Sequence, residues 1–572
     1  MQKKPTPLAG GRMLRRDRLK GKWEILANTT ISTLLNTMNL SMILVALPAI
    51  FLGLNFLPFQ KDAAPYVLWL ISGYGIISAT TVVTFGKLSD MYGRVRLYKL
   101  GYVIFILSSF ALGLVYTGGT SAILALILGR MVQAIGGALL AVNGPAMLAD
   151  YFPKKEIGKA MGLNQTSTIA GTVFGLLLGG ILASINWRLI FLINVPIGVI
   201  GLLLSVRIRG MPRQKVGIDW KGNATFFSFV IFLLLGITYG VRSYRGAQEG
   251  WLNPLVLLSF ILSIASFVLF LRAERRSKNP MMDLGLFRVS KFSSGNFSLF
   301  ISSLARQGLA FILILLFQAV WLPLHDYSYA SAPFWSSVYT LPFLLAFFVF
   351  GPVSGYLSDE YGSDLFVVSG LLIAALGFAT LYFQPYNFSY VWFSPSLFII
   401  GMGLGLFSSP NTANIMGTLG KKNRSMGSGI RSVVSNIAMS TSFSLYLAII
   451  LLGMGTTLHS SLNSALSAAG VPQTAIAGMT RIPESEALLS AMLGYNPMSS
   501  ILAGLPHGIY SQIPQSALKK ITSLAFFPQA IADSFIYGFR IMVAVSTVLL
   551  IIAALLPLLA ARLSKNKNRR MK

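Results

Sequence analysis

Gly86-Lys87-Leu88-Ser89-Asp90-Met91-Tyr92-Gly93-Arg94-Val95-Arg96 is a short hydrophilic stretch that closes a long apolar run. A weaker copy, Gly355-Tyr356-Leu357-Ser358-Asp359-Glu360-Tyr361-Gly362-Ser363, closes another such run much later in the chain. A turn of this kind repeated at corresponding places means two related bundles in one chain. Gly86 and Gly93 allow close backbone approach where two helices join in a tight turn. Asp90 is placed to cap or pair with a helix N-terminus across the mouth of a bundle, and Arg94 stands one turn on, within pairing reach. Gly355, Asp359 and Gly362 are the counterparts in the second copy. A well-capped turn accounts for the glycine and aspartate of one copy, but not for both.

The composition says where such a chain resides. Of 572 residues, 54% are hydrophobic and 11% charged, with a mean hydropathy of +0.68. That is too little charge to cover a soluble protein of this length. The net charge of +29 does not form a basic stripe with interleaved aromatics, which argues against nucleic acid as a partner. Lys and Arg instead punctuate apolar runs of about 20 residues, each long enough to cross a roughly 30 Å hydrocarbon core as a helix. There is no cysteine, which excludes disulfides and thiolate metal sites. The basic N-terminus (Lys3, Lys4, Arg12, Arg15, Arg16, Arg18, Lys20, Lys22) precedes an apolar run too long for a cleaved leader, so that run reads as a first permanent span.

Hydropathy and flanking charge predict fourteen spanning helices, among them Ser293–Leu322, Met426–Leu452 and Ser534–Leu563. Basic residues crowd the two termini and the even-to-odd connections. The odd-to-even connections hold only Lys61, Arg188, Arg242, Arg245, Arg481, Lys519 and Lys520. This asymmetry predicts an even number of spans with both termini cytoplasmic. The organisation is an all-α polytopic membrane protein: a basic terminus 1–24, a six-helix bundle 25–210, two linking helices within 211–291, a second six-helix bundle 292–563 and a basic tail 564–572. One outer loop, 455–532, stands out. Leu488, Leu489, Met492 and Leu493 recur at helical spacing after Pro483 and Glu484, which reads as a helix lying on the outer leaflet rather than a lid.

Charge inside the membrane is the strongest pointer to a site, because a charged side chain at the bilayer centre costs at least about 2.5–3.5 kcal/mol. None of the 17 carboxylates falls in mid-span; Asp90, Asp150, Asp359 and Asp364 lie at cytoplasmic ends and Asp533 at an outer end. Arginine does enter. Arg130 lies within the fourth span, and Arg306 lies about 20 Å along the ninth, near the midplane. Arg306 is expected in a cavity between the bundles. Arg130 serves either as a structural arginine or in coupling, and Arg540, near an outer end, is free to snorkel. Gln133, Asn36, Asn39, Asn143, Gln318, Asn411, Asn414 and Asn436 are candidates for polar lining, each also explicable as an interhelical hydrogen bond. The three histidines, His325, His459 and His507, fall in outer loops without metal-ligand spacing, and no embedded acid pair suggests acid–base work. An enzyme, a metal site and a cofactor are not expected. A channel would need rings of charge or a repeated filter sequence, and neither is present.

Further motifs follow in order: Ala46-Leu47-Pro48; Trp69 and Tyr74; Arg130-Met131-Val132-Gln133-Ala134-Ile135-Gly136; Gly171-Thr172-Val173-Phe174-Gly175-Leu176-Leu177-Leu178-Gly179-Gly180; Asn186-Trp187-Arg188; and Asn194-Val195-Pro196-Ile197-Gly198. With fourteen spans, this series resembles the major facilitator superfamily, in particular its fourteen-helix drug:proton antiporter branch, over nearly the whole chain. The resemblance implies two bundles rocking about a central cavity in the plasma membrane, with Gly171, Gly175, Gly179 and Gly180 packing helices. It further implies export of small amphipathic compounds, with protons as an optional coupling partner. The alternatives are transport of an anionic metabolite without that coupling, and a receptor or scaffold built on a transporter fold. Three departures bear on coupling. Such antiporters usually carry aspartate where Asn39 stands, proline where Leu176 stands, and arginine where the second turn ends in Ser363.

Overall fold

A computed structural model describes residues 10–55, 63–116, 118–153, 156–208, 217, 219–240, 250–277, 280, 282, 284–419 and 424–570. Lys3, Lys4, Lys61, Arg242, Arg245 and the 209–216 stretch of the first linker lie outside the described residues. Among the described residues, fourteen helices are long and apolar enough to span a bilayer. They are α1 (Gly10–Gly53), α2 (Ala63–Tyr92), α3 (Arg94–Gly113), α4 (Gly119–Tyr151), α5 (Ile157–Ile185), α6 (Leu189–Val206) and α7 (Trp220–Gly240). The series continues with α8 (Pro254–Arg276), α9 (Ser290–Leu324), α10 (Ala332–Tyr361), α11 (Ser363–Tyr382), α12 (Tyr390–Gly417), α13 (Arg424–Ala468) and α14 (Phe526–Arg570). Helices answer the demand that every backbone N–H and C=O find a partner where water is absent.

Packing sorts these helices into two groups. Helices α1–α6 pack on one another, as do α9–α14, while α7 and α8 pair with each other and α7 also touches α2 and α13. Contacts between the groups run along α2–α13 and α5–α10, with α1 touching α9 and α10. Helix α8 leaves Leu255, Ile261, Ile264 and Leu269 exposed, the surface of a helix that faces lipid. Both chain ends lie on one side, here the terminal face; the other is the distal face.

The glycines of α5 explain the closest approach. A side chain at Gly175 would begin 2.6 Å from the Met38 carbonyl oxygen, one at Gly179 would begin 2.7 Å from Met42 Cα, and one at Gly171 would collide with Thr37. These glycines, four residues apart, form one face laid directly on α1. Gly180 sits on a neighbouring face, where an added Cβ would be 2.7 Å from Phe334 Cα of α10.

Two features depart from the sequence reading. Helices α13 and α14 each run 45 residues, about 68 Å, far beyond the expected ends at Leu452 and Ser534. Hydropathy locates the membrane passage but not the end of a helix. Past Leu452, Leu458, Leu462 and Leu466 recur every fourth residue and are all buried. What buries them is the second departure. Residues 469–525 form a folded cap of short helices, Gln473–Met479, Glu484–Met492, Met498–Ala503, His507–Tyr510 and Gln515–Ile521. The expectation that 484–492 lies on the membrane surface is overturned. Glu484 and every residue from Ala487 to Met492 are buried, so the helix has no wide solvated face, and it packs on α2, α9, α13 and α14. An interfacial helix buries one face only.

Candidate functional site between the two helix groups

Helix α4 contributes Arg130, which is 1% exposed and lies with its guanidinium carbon 4.6 Å from the Tyr74 ring centroid. Its Nη1 donates to Gln133 Oε1 at 2.7 Å, and Gln133 Nε2 donates to Ser109 Oγ at 2.7 Å. Asn39 Nδ2 donates to the same Gln133 oxygen at 3.2 Å, while Asn39 Oδ1 accepts from Asn194 at 3.2 Å. The Tyr74 hydroxyl donates to Asn36. Five helices, α1, α2, α3, α4 and α6, therefore meet in one polar knot. Among the described residues no carboxylate pairs with Arg130, and its Nε has no hydrogen-bond partner.

The other helix group holds Arg306 on α9. Its guanidinium carbon sits 5.2 Å from the ring centroid of Phe347 on α10, and the residue keeps partial exposure. Helices α9 and α10, which carry Arg306 and Phe347, are also the members of this group that touch α1. Sequence alone does not single out a further arginine, Arg431. The structure puts it inside α13, half-buried, its Nη1 donating to Thr412 Oγ1 at 3.4 Å. Its position five residues into the predicted span was the available signal.

Most of the neutral residues expected to line a cavity are instead sealed. Gln133 and Asn39 belong to the knot. Asn143 donates to the Leu139 carbonyl of its own helix at 2.8 Å, and Asn411 donates to the Gly295 carbonyl at 3.0 Å, both from buried positions. Of Arg130, Gln133, Arg306, Asn36, Asn39, Asn143, Gln318 and Asn411, only Asn36 and Arg306 remain partly exposed. An amide in an apolar interior takes the nearest carbonyl, because an unmade hydrogen bond there costs about 1–3 kcal/mol. Arg540 Nη2 donates to the Gln384 carbonyl, just past the distal end of α11, at 3.2 Å.

Gln318 closes the distal side. It lies in a π-helical turn, Phe317–Trp321, and donates across the groups to the Val45 carbonyl at 3.2 Å and within its own group to Ser336 Oγ at 2.8 Å. Ser337 Oγ donates across to the Leu176 carbonyl at 2.9 Å. With the Gly180–Phe334 approach, these contacts hold the groups together at the distal face.

At the terminal face the repeated turn is a clamp within one group. Arg94 Nε bonds Asp90 at 2.8 Å, and Arg94 Nη1 bonds Asp150 of α4 at 2.7 Å and the Ala146 carbonyl at 3.3 Å. The expected reach of Asp90 across the mouth is replaced by this tie among α2, α3 and α4. Gly93 has φ 105°, a conformation that disfavours any side chain, and Gly362 has φ 89° in the second copy. A Cβ added at Gly86 would lie 3.4 Å from Val142 Cγ1, and one at Gly355 would lie 3.3 Å from Ser409 Cβ. Asp359 is exposed, with no partner among the described residues. Its expected role falls to Asp364, which bonds Lys291 at 2.9 Å and Asn414 of α12 at 2.7 Å. The charge is inverted between the copies: α3 opens with arginine and α11 with an acid.

A family model described as the Major Facilitator Superfamily matches residues 29–443. The chain belongs to that superfamily. It is an all-helical member of a family of transporters and resembles multidrug exporters. It is 28% identical to the riboflavin transporter RibZ of Clostridioides difficile over 74% of this chain and 88% of that one. It is 27% identical to the multidrug resistance protein Stp of Mycobacterium tuberculosis over 77% and 79%. Among solved structures, an inward-facing bacterial homolog of the human lysosomal transporter Spinster matches with TM-score 0.51 at 16% identity, covering 95% of this chain and 97% of that one. A POT family transporter in complex with 5-aminolevulinic acid matches with TM-score 0.54 at 14% identity, covering 83% and 94%. At such identities these two chains speak to the fold alone.

Proposed function

We propose that this chain is a secondary active exporter of small amphipathic organic compounds, working by alternating access, with an anionic or neutral substrate favoured over a permanent cation. The observation that carries the charge preference is Arg306. It is half-buried on α9, lies over the Phe347 ring of α10, and has no carboxylate partner among the described residues; α9 and α10 both touch α1 of the other group. A fixed positive charge in a low-dielectric cavity repels cations and lowers the cost of bringing an anion from water. The basic asymmetry of the connections supports a cytoplasmic terminal face, and the resemblance to bacterial multidrug resistance proteins supports the plasma membrane. The resemblance to multidrug resistance proteins supports export. The closed distal face and the clamp at Asp90, Arg94 and Asp150 are the parts expected to exchange between states.

Coupling to protons, where it operates, bypasses position 39. Asn39 does not titrate, and it already spends both side-chain groups on Gln133 and Asn194. A second reading, a carrier of one anionic metabolite, rests on the same unpaired arginine.

Flux in proteoliposomes under imposed proton and voltage gradients, against a panel of anionic, neutral and cationic compounds, tests both readings. Export of several unrelated lipophilic compounds supports the first; movement of one anion class alone supports the second. Robust flux of a quaternary ammonium compound, unaffected by Arg306→Ala, would remove the charge preference. No flux of any compound would favour a receptor or scaffold.

A further inference from the structure

The cap at 469–525 is joined by both ends to the second helix group, through the distal extensions of α13 and α14. It is a folded unit. Ala475 and Met479 of its first helix and Ala517 and Ile521 of its last are almost wholly buried, in one apolar cluster with Leu458, Leu462 and Leu466 of α13. Part of its seat, however, is on the other group. The helix Glu484–Met492 packs on α2, which belongs to the first group, as well as on the π-helical turn of α9 and on α13 and α14. Leu488, Leu489 and Met492 share a continuous buried cluster with Leu68 and Ile71 of α2. The cap thus lies over the α2–α13 seam and touches both sides of it.

This placement has a mechanical consequence. Any motion that parts the groups at the distal face must break the Gln318–Val45 and Ser337–Leu176 hydrogen bonds, and it must also strip the cap helix from one wall of its seat. Because both cap ends belong to the second group, the α2 wall is the one that separates.

We propose that the cap is a moving distal closure: residues 484–492 undock from α2 as a body, with the cap's own core intact, each time the distal face opens. The remaining apolar seat re-docks it when the groups close. The inference needs only the rocking of two halves, not the identity of the substrate, so its failure is separable from failure of the exporter reading.

The absence of native cysteine makes the test direct. Ser490→Cys reports the seat, Ala475→Cys reports the cap's own core, and Ser337→Cys reports the distal closure; all three positions are buried. Each is read by maleimide labelling of the full chain in nanodiscs, with and without Gly180→Leu. That substitution is a wedge, since a side chain at 180 meets Phe334 Cα and the Pro333 carbonyl at 2.7 and 2.9 Å. In the wedge background, labelling at 337 and at 490 should both rise about tenfold while labelling at 475 stays low, as expected when a strained closure shifts the population toward the open form. Exposure of 337 with 490 still protected would overturn the proposal, because the closure would open under a static cap. Joint labelling of 490 and 475 would overturn it in favour of cap unfolding. Rapid labelling of 490 without the wedge would show that the seat never closes. Hydrogen–deuterium exchange on the unmodified chain gives a reading free of any variant. Amides of 484–492 should exchange together with the distal ends of α5 and α10; exchange together with the rest of the cap would overturn the proposal.

Discussion

Arg130 and Arg306 are both membrane-embedded guanidiniums over an aromatic ring, and neither has a carboxylate partner among the described residues. Their surroundings differ. Arg130 is sealed among five helices and bonded to Gln133, which is bonded in turn to Asn39 and Ser109. Arg306 has an aromatic ring beneath it and partial exposure above it. A cation locked in a satisfied knot serves packing and orientation, whereas one facing an interface is available to a ligand. The comparison is between a cation sealed by polar cross-links and one left partly exposed.

The comparison breaks most severely at Gln133. Replacing it with leucine removes the hydrogen-bond acceptor of a fully buried charge, and a buried polar group left unsatisfied costs about 1–3 kcal/mol, more when it is charged. Gln133→Leu should therefore melt early or fail to express. The double variant Gln133→Leu with Arg130→Met should recover most of the loss, because the uncompensated charge leaves with its partner. A double variant no more stable than the single one, by thermal melting in detergent, would mean that Arg130 contributes packing rather than an unpaid charge.

Arg306 should respond in the opposite way. Arg306→Ala leaves melting nearly unchanged and lowers kcat/KM for an anionic substrate roughly a hundredfold, about 2.8 kcal/mol, while Arg306→Lys keeps part of the activity. Equal losses for anionic and neutral substrates would make this residue structural after all.

The clamp at the terminal face sharpens the comparison at smaller scale. Asp90 and Asp150 share Arg94, all three partly exposed, so each should be worth about 1 kcal/mol or less on its own. Asp90→Asn should lower flux without harming insertion, and Asp90→Asn with Asp150→Asn should lower it by more than the sum. Asp359→Asn, at the matching place in the second half, should change nothing, whereas Asp364→Asn should resemble Asp90→Asn. Unchanged flux in a normally expressed Asp90→Asn chain would remove that residue from the mechanism.

The fold was legible in the sequence because its signals are long and redundant. Fourteen apolar runs, a repeated turn and a four-residue glycine spacing each reappear in the structure as helices, paired tight turns and a glycine face on α1. The site was legible only in part. Arg306 stood out because a midplane arginine is costly to keep in a bilayer, and the structure lays it over Phe347 with partial exposure. Arg431 was lost among its basic neighbours Lys421, Lys422 and Arg424, since charge density alone does not tell a connection from the first turns of a helix. Asp359 matched the repeat by position, but the partner that pulls an acid inward, Asn414, comes from another helix and makes Asp364 the bonded residue. The amides of Asn143 and Asn411 read as lining because composition cannot say which carbonyl lies nearby. The cap failed for a similar reason: Leu488, Leu489 and Met492 show an apolar helix face, and a bilayer surface or a protein wall would satisfy that face equally well.

The smallest predicted effect concerns that wall. Glu486, in the first turn of 484–492, is partly buried, and burial holds its carboxyl above the usual carboxylate range. The helix N-terminus favours a negative charge there, but desolvation outweighs it. With the docked pKa raised, the docked cap binds a proton more tightly than the undocked one. Docking is therefore most favoured below the ordinary glutamate pKa, about 4.3, and loses that advantage as pH rises through the docked value. Acidifying the distal side from neutrality should slow maleimide labelling of Ser490→Cys. Because thiol chemistry itself depends on pH, the quantity to read is the ratio between the Ser490→Cys chain and the same chain carrying Glu486→Gln. Glutamine imitates the protonated acid, so the glutamine chain should label more slowly at neutral pH, by about threefold at most for a group this exposed, and the two rates should converge under acid conditions. A ratio that stays flat with pH would show that Glu486 is solvated in the docked cap. A ratio of the opposite sign would show that its charge is held by a partner in the seat, and that acid opens the cap rather than closing it.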